Sequence, residues 1–286
     1  MRHAVNLPIM NEFSSPQLLS ELAQEAEAAG WDGVFVWDLL LFDPQNKPAL
    51  IDPWIALAAI AMTTRHVKIG PMVATLARRR PWKVAREVVT LDLLSEGRMV
   101  LGVGLGQSGS GDFAHFGEES DRKVRAGKLD EAIDIVAGLC SGEPFSYQGE
   151  HFQIQETVFL PRPVQEHIPI WVGGWWPNKA PMRRAARWDG AYPGEVIGTD
   201  TTVEIIPTSP ASARTMLDYI MQHRTKTTPF DLVISRPLWH TDPGEARELV
   251  VQLGDAGVTW LMQDLFPWEV SPEEARALIR GGPPGK

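Results

Sequence analysis

Pro81-Trp82-Lys83-Val84-Ala85-Arg86-Glu87-Val88-Val89-Thr90-Leu91-Asp92-Leu93-Leu94-Ser95-Glu96-Gly97-Arg98-Met99-Val100-Leu101-Gly102-Val103-Gly104-Leu105-Gly106 holds one complete helix-to-strand passage. Proline at the first helical position costs nothing, because that N–H has no intrahelical partner. The pattern predicts a helix from Pro81 to Leu94, stopped at Gly97. Met99 to Val103 then reads as a strand buried on both faces, running into a glycine turn. The same passage recurs outward in both directions. Ser15-Pro16, Asp52-Pro53, Trp176-Pro177, Ser209-Pro210, Asp242-Pro243 and Ser271-Pro272 each open a helix-period stretch, with Ser or Asp placed to accept from the free N–H groups of the first turn. Strand-like runs lie at Ala4–Leu7, Gly33–Trp37, Lys68–Val73, Pro169–Gly174, Asp189–Tyr192, Asp231–Ser235 and Thr259–Gln263. Strand and helix alternating in this way predict an α/β fold, a parallel (β/α)8 TIM barrel with its site at the strand C-terminal ends.

The chain's 286 residues suit one barrel domain over 1–286 with a small insertion. Residues 142–163 break the rhythm, and the alternation around Gly149 predicts a hairpin there. Residues 193–208 are poor in apolar pattern and read as a mobile loop. Net charge is −9, which argues against nucleic acid and anionic membrane surfaces as partners. No apolar run is long enough to span a membrane, and the N-terminus reads as a first strand rather than a signal peptide, so a cytoplasmic protein is expected. Cys140 is the only cysteine; it falls in a helical apolar pattern and reads as buried packing, compatible with a reducing compartment.

Gly104-Leu105-Gly106-Gln107-Ser108-Gly109 matches G-x-G-x-x-G after a strand. Three readings stand: a dinucleotide fingerprint, a flexible turn, or glycines clearing space for a flat ring or phosphate at a barrel rim. Gly173-Gly174 ahead of a helix suits an anionic group or a tight turn. Trp37, Trp175, Trp176, Trp239 and Trp268, among 11 tryptophans, fall near predicted strand ends and offer an aromatic mouth. Arg78-Arg79-Arg80 reads as an anion site or a solvated patch. Asp38, at the tip of an apolar strand, either orients a cofactor edge or ties the loop. His115 is placed for acid or base work, or packs a loop. The seven histidines form no metal-ligand spacing, and no metal is expected.

The block from Pro81 to Gly106, together with Ala28-Ala29-Gly30-Trp31-Asp32-Gly33, Trp37-Asp38, Pro169-Ile170-Trp171-Val172-Gly173-Gly174 and Ala186-Arg187-Trp188-Asp189-Gly190, resembles the luciferase-like flavin-dependent oxidoreductases. The resemblance implies a TIM-type barrel holding FMN or coenzyme F420 at the strand C-terminal ends. It implies Asp38 near the ring, Met72, Val73 and Ala74 in a bulged segment behind it, and Gly104, Gly106 and Gln107 in the loop after strand four. Val172, Gly173, Gly174, Trp175 and Asn178 would form the cofactor turn after strand five. Two positions depart from the family's pattern. Leu39 stands where a histidine often follows the aspartate, and Gln107 stands where F420-dependent sugar-phosphate dehydrogenases carry a glutamate. Asp38, His115 and Gln107 remain as catalytic candidates.

The expected activity is therefore a flavin- or deazaflavin-dependent oxidoreductase or monooxygenase acting on an organic small molecule. It would be a homodimer, with a separate reductase as a potential supplier of reduced cofactor. The alternative is a non-catalytic flavin-binding protein of the same fold.

Overall fold

Side-chain alternation along the strands divides the apolar residues into two sets, and that division builds the molecule. The computed structural model describes residues 1–43, 45–106, 111–199 and 202–285, except the side chains of 199, 202 and 203. In chain order the strands are β1 (Arg2–Leu7), β2 (Gly33–Val36), β3 (Lys68–Pro71), β4 (Ala74–Thr75), β5 (Leu101–Gly104), β6 (Phe145–Gln148), β7 (Gln153–Thr157), β8 (Ile170–Trp176), β9 (Gly190–Thr199), β10 (Thr202–Ile206), β11 (Asp231–Ser235) and β12 (Trp260–Asp264). The helices are α1 (Pro16–Ala28), α2 (Pro53–Thr63), α3 (Pro81–Leu94), α4 (Arg122–Cys140), α5 (Lys179–Ala185), α6 (Pro210–His223), α7 (Pro243–Asp255) and α8 (Pro272–Arg280).

The sheet runs β3-β2-β1-β12-β11-β9-β8-β5-β4. β3 and β4 are two halves of one stave, interrupted at Met72-Val73, where the peptide bond is cis. Ile69 bridges Met99 in parallel and closes the ring. Eight staves result, and the barrel is a TIM barrel. Outward residues such as Val5, Val34, Ile69, Leu101, Val172 and Ile234 pack against the helices. Inward residues Ala4, Phe35, Met72, Val100, Trp171, Val233, Trp260 and Met262 fill the interior, with the Phe35, Trp171 and Trp260 rings in mutual contact. Gly70 and Gly102 have no room for a Cβ: it would meet the Val100 carbonyl oxygen at 1.9 Å and that of Pro71 at 2.4 Å. Such close backbone approach is what lets the interrupted stave fit against β5.

The proline-based starts hold at most helices. Ser15, Asp52, Ser209, Asp242 and Ser271 each accept from a first-turn N–H. Arg80 gives α3 no side-chain cap. Two expectations change. β8 runs on through Trp176, so Pro177 ends the strand and Asn178 caps α5, its side chain accepting from Ala180 N at 3.2 Å. Residues expected as a mobile loop instead continue β9 and return antiparallel as β10, because backbone pairing satisfies that stretch where apolar pattern does not. β6 and β7 pair antiparallel as a separate hairpin. Cys140 is buried and its thiol is pushed up to about 12 by burial, as an inert packing residue. Among the described residues no helix is long and apolar enough to cross a membrane.

Candidate functional site

Parallel strands put all their C-terminal ends on one face, so the residues that meet there are set by register. Asn6 pairs with Asp264, Gly173 with Tyr192, and Val103 with Val172. Val73 and Tyr192 both cap the inner apolar group and both remain partly exposed. The barrel mouth is thus floored by Val73 on one half and bordered by Tyr192 on the other.

The two glycine stretches lie side by side at this mouth, and their free space is already used. A Cβ on Gly104 would come within 2.5 Å of Val73 Cγ2, and one on Gly173 within 3.0 Å of Val73 Cγ1. The glycines therefore admit the Val73 side chain rather than a ligand directly, and Val73 is the surface any ligand would meet. At Gly174 a Cβ would strike Pro181 at 2.2 Å, so this glycine serves strand-to-helix packing. Gly106 has φ +74° and turns the chain after β5. Gln107, and with it the rest of the G-x-G-x-x-G stretch, lies outside the described residues. The closed barrel excludes the dinucleotide-fingerprint reading, which needs an open doubly wound sheet.

Asp38 is buried and engaged. Its Oδ1 accepts from Arg78 Nη2 at 3.0 Å and from Arg79 Nη2 at 2.9 Å, while Oδ2 has no hydrogen-bond partner. Arg78 also reaches Asp112 at 3.5 Å, and Asp112 accepts from the Leu40 and Leu41 amides. The arginine run is therefore no open anion patch in its first two members: they are internal ties between the loops after β2 and β4 and the segment after β5. Arg80 instead lies over the Trp82 ring. His115 sits on an exposed turn, with Asp112 and Phe113 of the same segment buried.

Aromatic side chains form one wall of the mouth. Trp37 contacts Phe266 and Trp268 at 5.9 Å each, and Trp268 stacks on Phe42 at 5.8 Å. Trp175 is exposed and folds over Gly194, whereas Trp176 is buried with Lys179 Nζ 3.4 Å from its ring centroid. Trp239 packs on Trp31 at 5.6 Å.

Two features were not foreseen from the sequence. Arg125, in the first turn of α4, is 2 % exposed. Its Nη1 donates to the Leu105 carbonyl at 3.4 Å, its guanidinium lies over the Phe113 ring, and Nε is unpartnered. Burial, then Arg122 nearby, lowers its pKa, and Asp121 and Glu119 offset this only in part. The second is a polar quartet at the ends of β1, β9, β11 and β12. Asp264 accepts from Asn6 Nδ2 at 2.6 Å, from the Tyr192 hydroxyl at 3.1 Å and from the Ser235 hydroxyl. Burial raises the pKa of Asp264, and burial followed by the nearby Asp264 carboxyl raises that of Tyr192. No cation contributes to the Asp264 shift. The available signal was a polar residue at an inward position of an apolar strand: Asn6 after Ala4, Ser235 after Val233, Asp264 after Met262. No metal-ligand group occurs among the described residues.

Residues 5–277 match the family described as luciferase-like monooxygenase. The F420-dependent glucose-6-phosphate dehydrogenase of Nakamurella multipartita is 32% identical over 166 residues, covering 57% of this chain and 48% of that protein. The chain thus spans about half the length of that curated relative. The uncharacterized protein Mb0965c of Mycobacterium bovis is 30% identical over 271 residues, covering 88% of this chain and 86% of its own. Among solved structures, the coenzyme F420-dependent tetrahydromethanopterin reductase of Methanopyrus kandleri superposes with a TM-score of 0.75 at 15% identity, covering 98% and 97% of the two chains.

Proposed function

The chain belongs to the luciferase-like monooxygenase family, and from that premise we propose that it is an oxidoreductase using FMN or F420 on a small organic substrate. The observation that carries this reading is the partly exposed Val73 floor, wedged between Gly104 and Gly173 at the strand C-terminal face. It offers a flat apolar seat where the fold collects its functional residues. The residues suit such a group. Val73, over the buried Met72, would back a ring, with the Gly104–Gly106 turn on one flank and Gly173 and Trp175 on the other; Ala74 and Val172 pack on the helix side, Gly174 packs on Pro181, Asn178 caps α5, and Gln107 lies outside the described residues. A cofactor phosphate would give the buried Arg125 guanidinium, whose Nε has no hydrogen-bond partner among the described residues, a direct acceptor. Asp38 would act through Arg78 and Arg79, holding the wall rather than the ring. When bound, the cofactor supplies hydride transfer or, when reduced, oxygen activation. The chain contributes the seat, the aromatic wall that excludes water, and the polar quartet opposite.

The test is titration with FMN and with F420, followed by fluorescence and by retention on a desalting column. Binding of one of them is expected; no binding of either at concentrations well above micromolar refutes the reading. A non-catalytic binder is the second reading, favoured by Asp38 being held by two arginines. Anaerobic reoxidation of the bound reduced cofactor by a substrate eliminates it. We further propose a cytoplasmic location and a homodimer, the latter supported by the exposed apolar side chains Trp82, Val158, Leu160 and Val164 and checked by light scattering. If oxygen is the oxidant, a separate reductase supplies the reduced cofactor.

A further inference from the structure

We propose that Tyr192 and Asp264 form a proton relay on the substrate side of the mouth, and that the substrate taken there is an uncharged alcohol or its ketone. The inference rests on the oxidoreductase reading above and deepens it. Tyr192 pairs in register with Gly173, whose missing side chain leaves room for Val73, so the phenol stands on the stave next to the one that borders the floor. Its hydroxyl donates to Asp264 Oδ2 at 3.1 Å. Asp264 is nearly sealed at 7 % exposure, while Tyr192 and Ser235 stay partly exposed. The carboxyl therefore communicates with the mouth through hydroxyl groups, which is the arrangement of a relay.

A structural tie between strand ends needs no ionisable group. A buried carboxyl facing no cation is costly to keep and marks a functional candidate. Its partners are Asn6, Tyr192 and Ser235. The other titratable groups on neighbouring staves lie elsewhere. Arg2 binds Asp231 at the opposite end of the barrel, and His3 precedes Asn6 by one turn of the pleat and more. Glu195, higher on β9, accepts from Ser212. Arg236 follows Ser235, and its lowered pKa comes from burial alone, with no carboxylate contributing. Arg78 and Arg79 are held by Asp38, and Lys179 lies on Trp176 and Tyr219. An anionic substrate beside Asp264 would add like charge, whereas a neutral oxygen between the phenol and the aromatic wall would be hydrogen-bonded and dry.

In the oxidising direction the substrate's carbinol C–H bond breaks, and the hydrogen leaves with its electron pair to the oxidised flavin or deazaflavin. The O–H bond breaks as its proton passes to the Tyr192 oxygen and the Tyr192 proton passes to Asp264 Oδ2. The electrons of the O–H bond form the second C–O bond of the ketone. Reduction runs the same transfers backward. Tyr192 touches substrate and is catalytic; Asp264 acts through it and is a positioning residue.

Two measurements test this. Wild type, Y192F and D264N, each loaded with reduced F420 or FMN, are mixed anaerobically with acetone, cyclohexanone and acetophenone across the neutral pH range. Wild type is expected to be reoxidised, Y192F to slow by about 100-fold or more, and D264N to lose the pH dependence. Separately, in unloaded protein with ¹³Cζ-labelled tyrosine, the signal absent from Y192F should move as Asp264 ionises and stop doing so in D264N. Y192F at nearly the wild-type rate, no reoxidation of wild type by any ketone, or a Tyr192 signal insensitive to D264N overturns the relay. Retention of cofactor in those same samples leaves the oxidoreductase reading standing; loss of cofactor from wild type ends both.

Discussion

Gly104→Ala tests whether Val73 is the seat of the cofactor. The new Cβ would lie 2.5 Å from Val73 Cγ2 and 3.5 Å from its Cβ. Ordinary contact begins at 3.4 Å, so the methyl group must retreat by about 0.9 Å, a small-to-large strain of about 1–3 kcal/mol. Val73 has little room sideways, because its other γ-methyl already borders Gly173. It can move toward the open mouth, where it is partly exposed. The empty protein then relieves much of the strain, and a flat ring must push the side chain back on binding. Carried into affinity, the same roughly 1–3 kcal/mol weakens Kd by about 5- to 150-fold. The assay is fluorescence titration with whichever cofactor wild type binds, beside a thermal melt. V73A in the same chain removes the clash and should return Kd to within a few-fold of V73A alone. Gly102→Ala is the contrast: its Cβ would meet the Pro71 carbonyl at 2.4 Å, and backbone cannot rotate aside, so Tm should fall further. A G104A protein that is less stable yet binds cofactor as tightly as wild type refutes the placement.

Asp38→Asn removes the buried carboxylate that Arg78 and Arg79 share, leaving Arg78 only Asp112 at 3.5 Å, and should cost about 3 kcal/mol, the low end for breaking a buried pair, read as a lower denaturant midpoint; an unchanged midpoint sinks the tie. Arg125→Met removes a charge whose burial is costly, so the unloaded protein should melt at the same temperature or higher, while affinity for FMN falls and affinity for phosphate-free riboflavin does not. Equal losses for both ligands contradict a phosphate role. Asp264 holds its proton in the folded state to higher pH than in the unfolded state, because burial raises its pKa. Between those two values the native protein carries more protons, so stability should fall as pH rises through that window and level off above it. D264N should flatten this dependence in denaturant melts taken at stepped pH; an unchanged slope assigns it to other groups.

Much of the fold was legible because its signals are local. Proline at the first helical position, Ser or Asp before it and runs of β-branched residues each act within a few residues. Residues 193–199 and 202–206 escaped because they are held by backbone pairing between β9 and β10, which apolar pattern does not record. Trp176-Pro177 looked like a helix start, yet β8 claims Trp176 through its pairing with Glu195.

The site divides along the same line. The resemblance named the stretches Met72–Ala74, Gly104–Gly106 and Val172–Asn178, and chain order in a parallel barrel fixes which loop reaches which part of the rim. Which atoms those residues face is decided in three dimensions. Gly104 and Gly173 both make room for Val73, from staves far apart in sequence. Asp38 meets arginines 40 and 41 positions away. Asp264 meets Asn6 across 258 residues.

The sequence by itself determined eight staves, their order of appearance and the end of the barrel at which polar residues collect, since alternation and capping are short-range. Only the tertiary structure decided that Asn6, Tyr192, Ser235 and Asp264 form one cluster and that Arg125 is buried against the Phe113 ring and the Leu105 carbonyl. Ring closure brings the two chain ends side by side, and no local pattern encodes a contact made by closure.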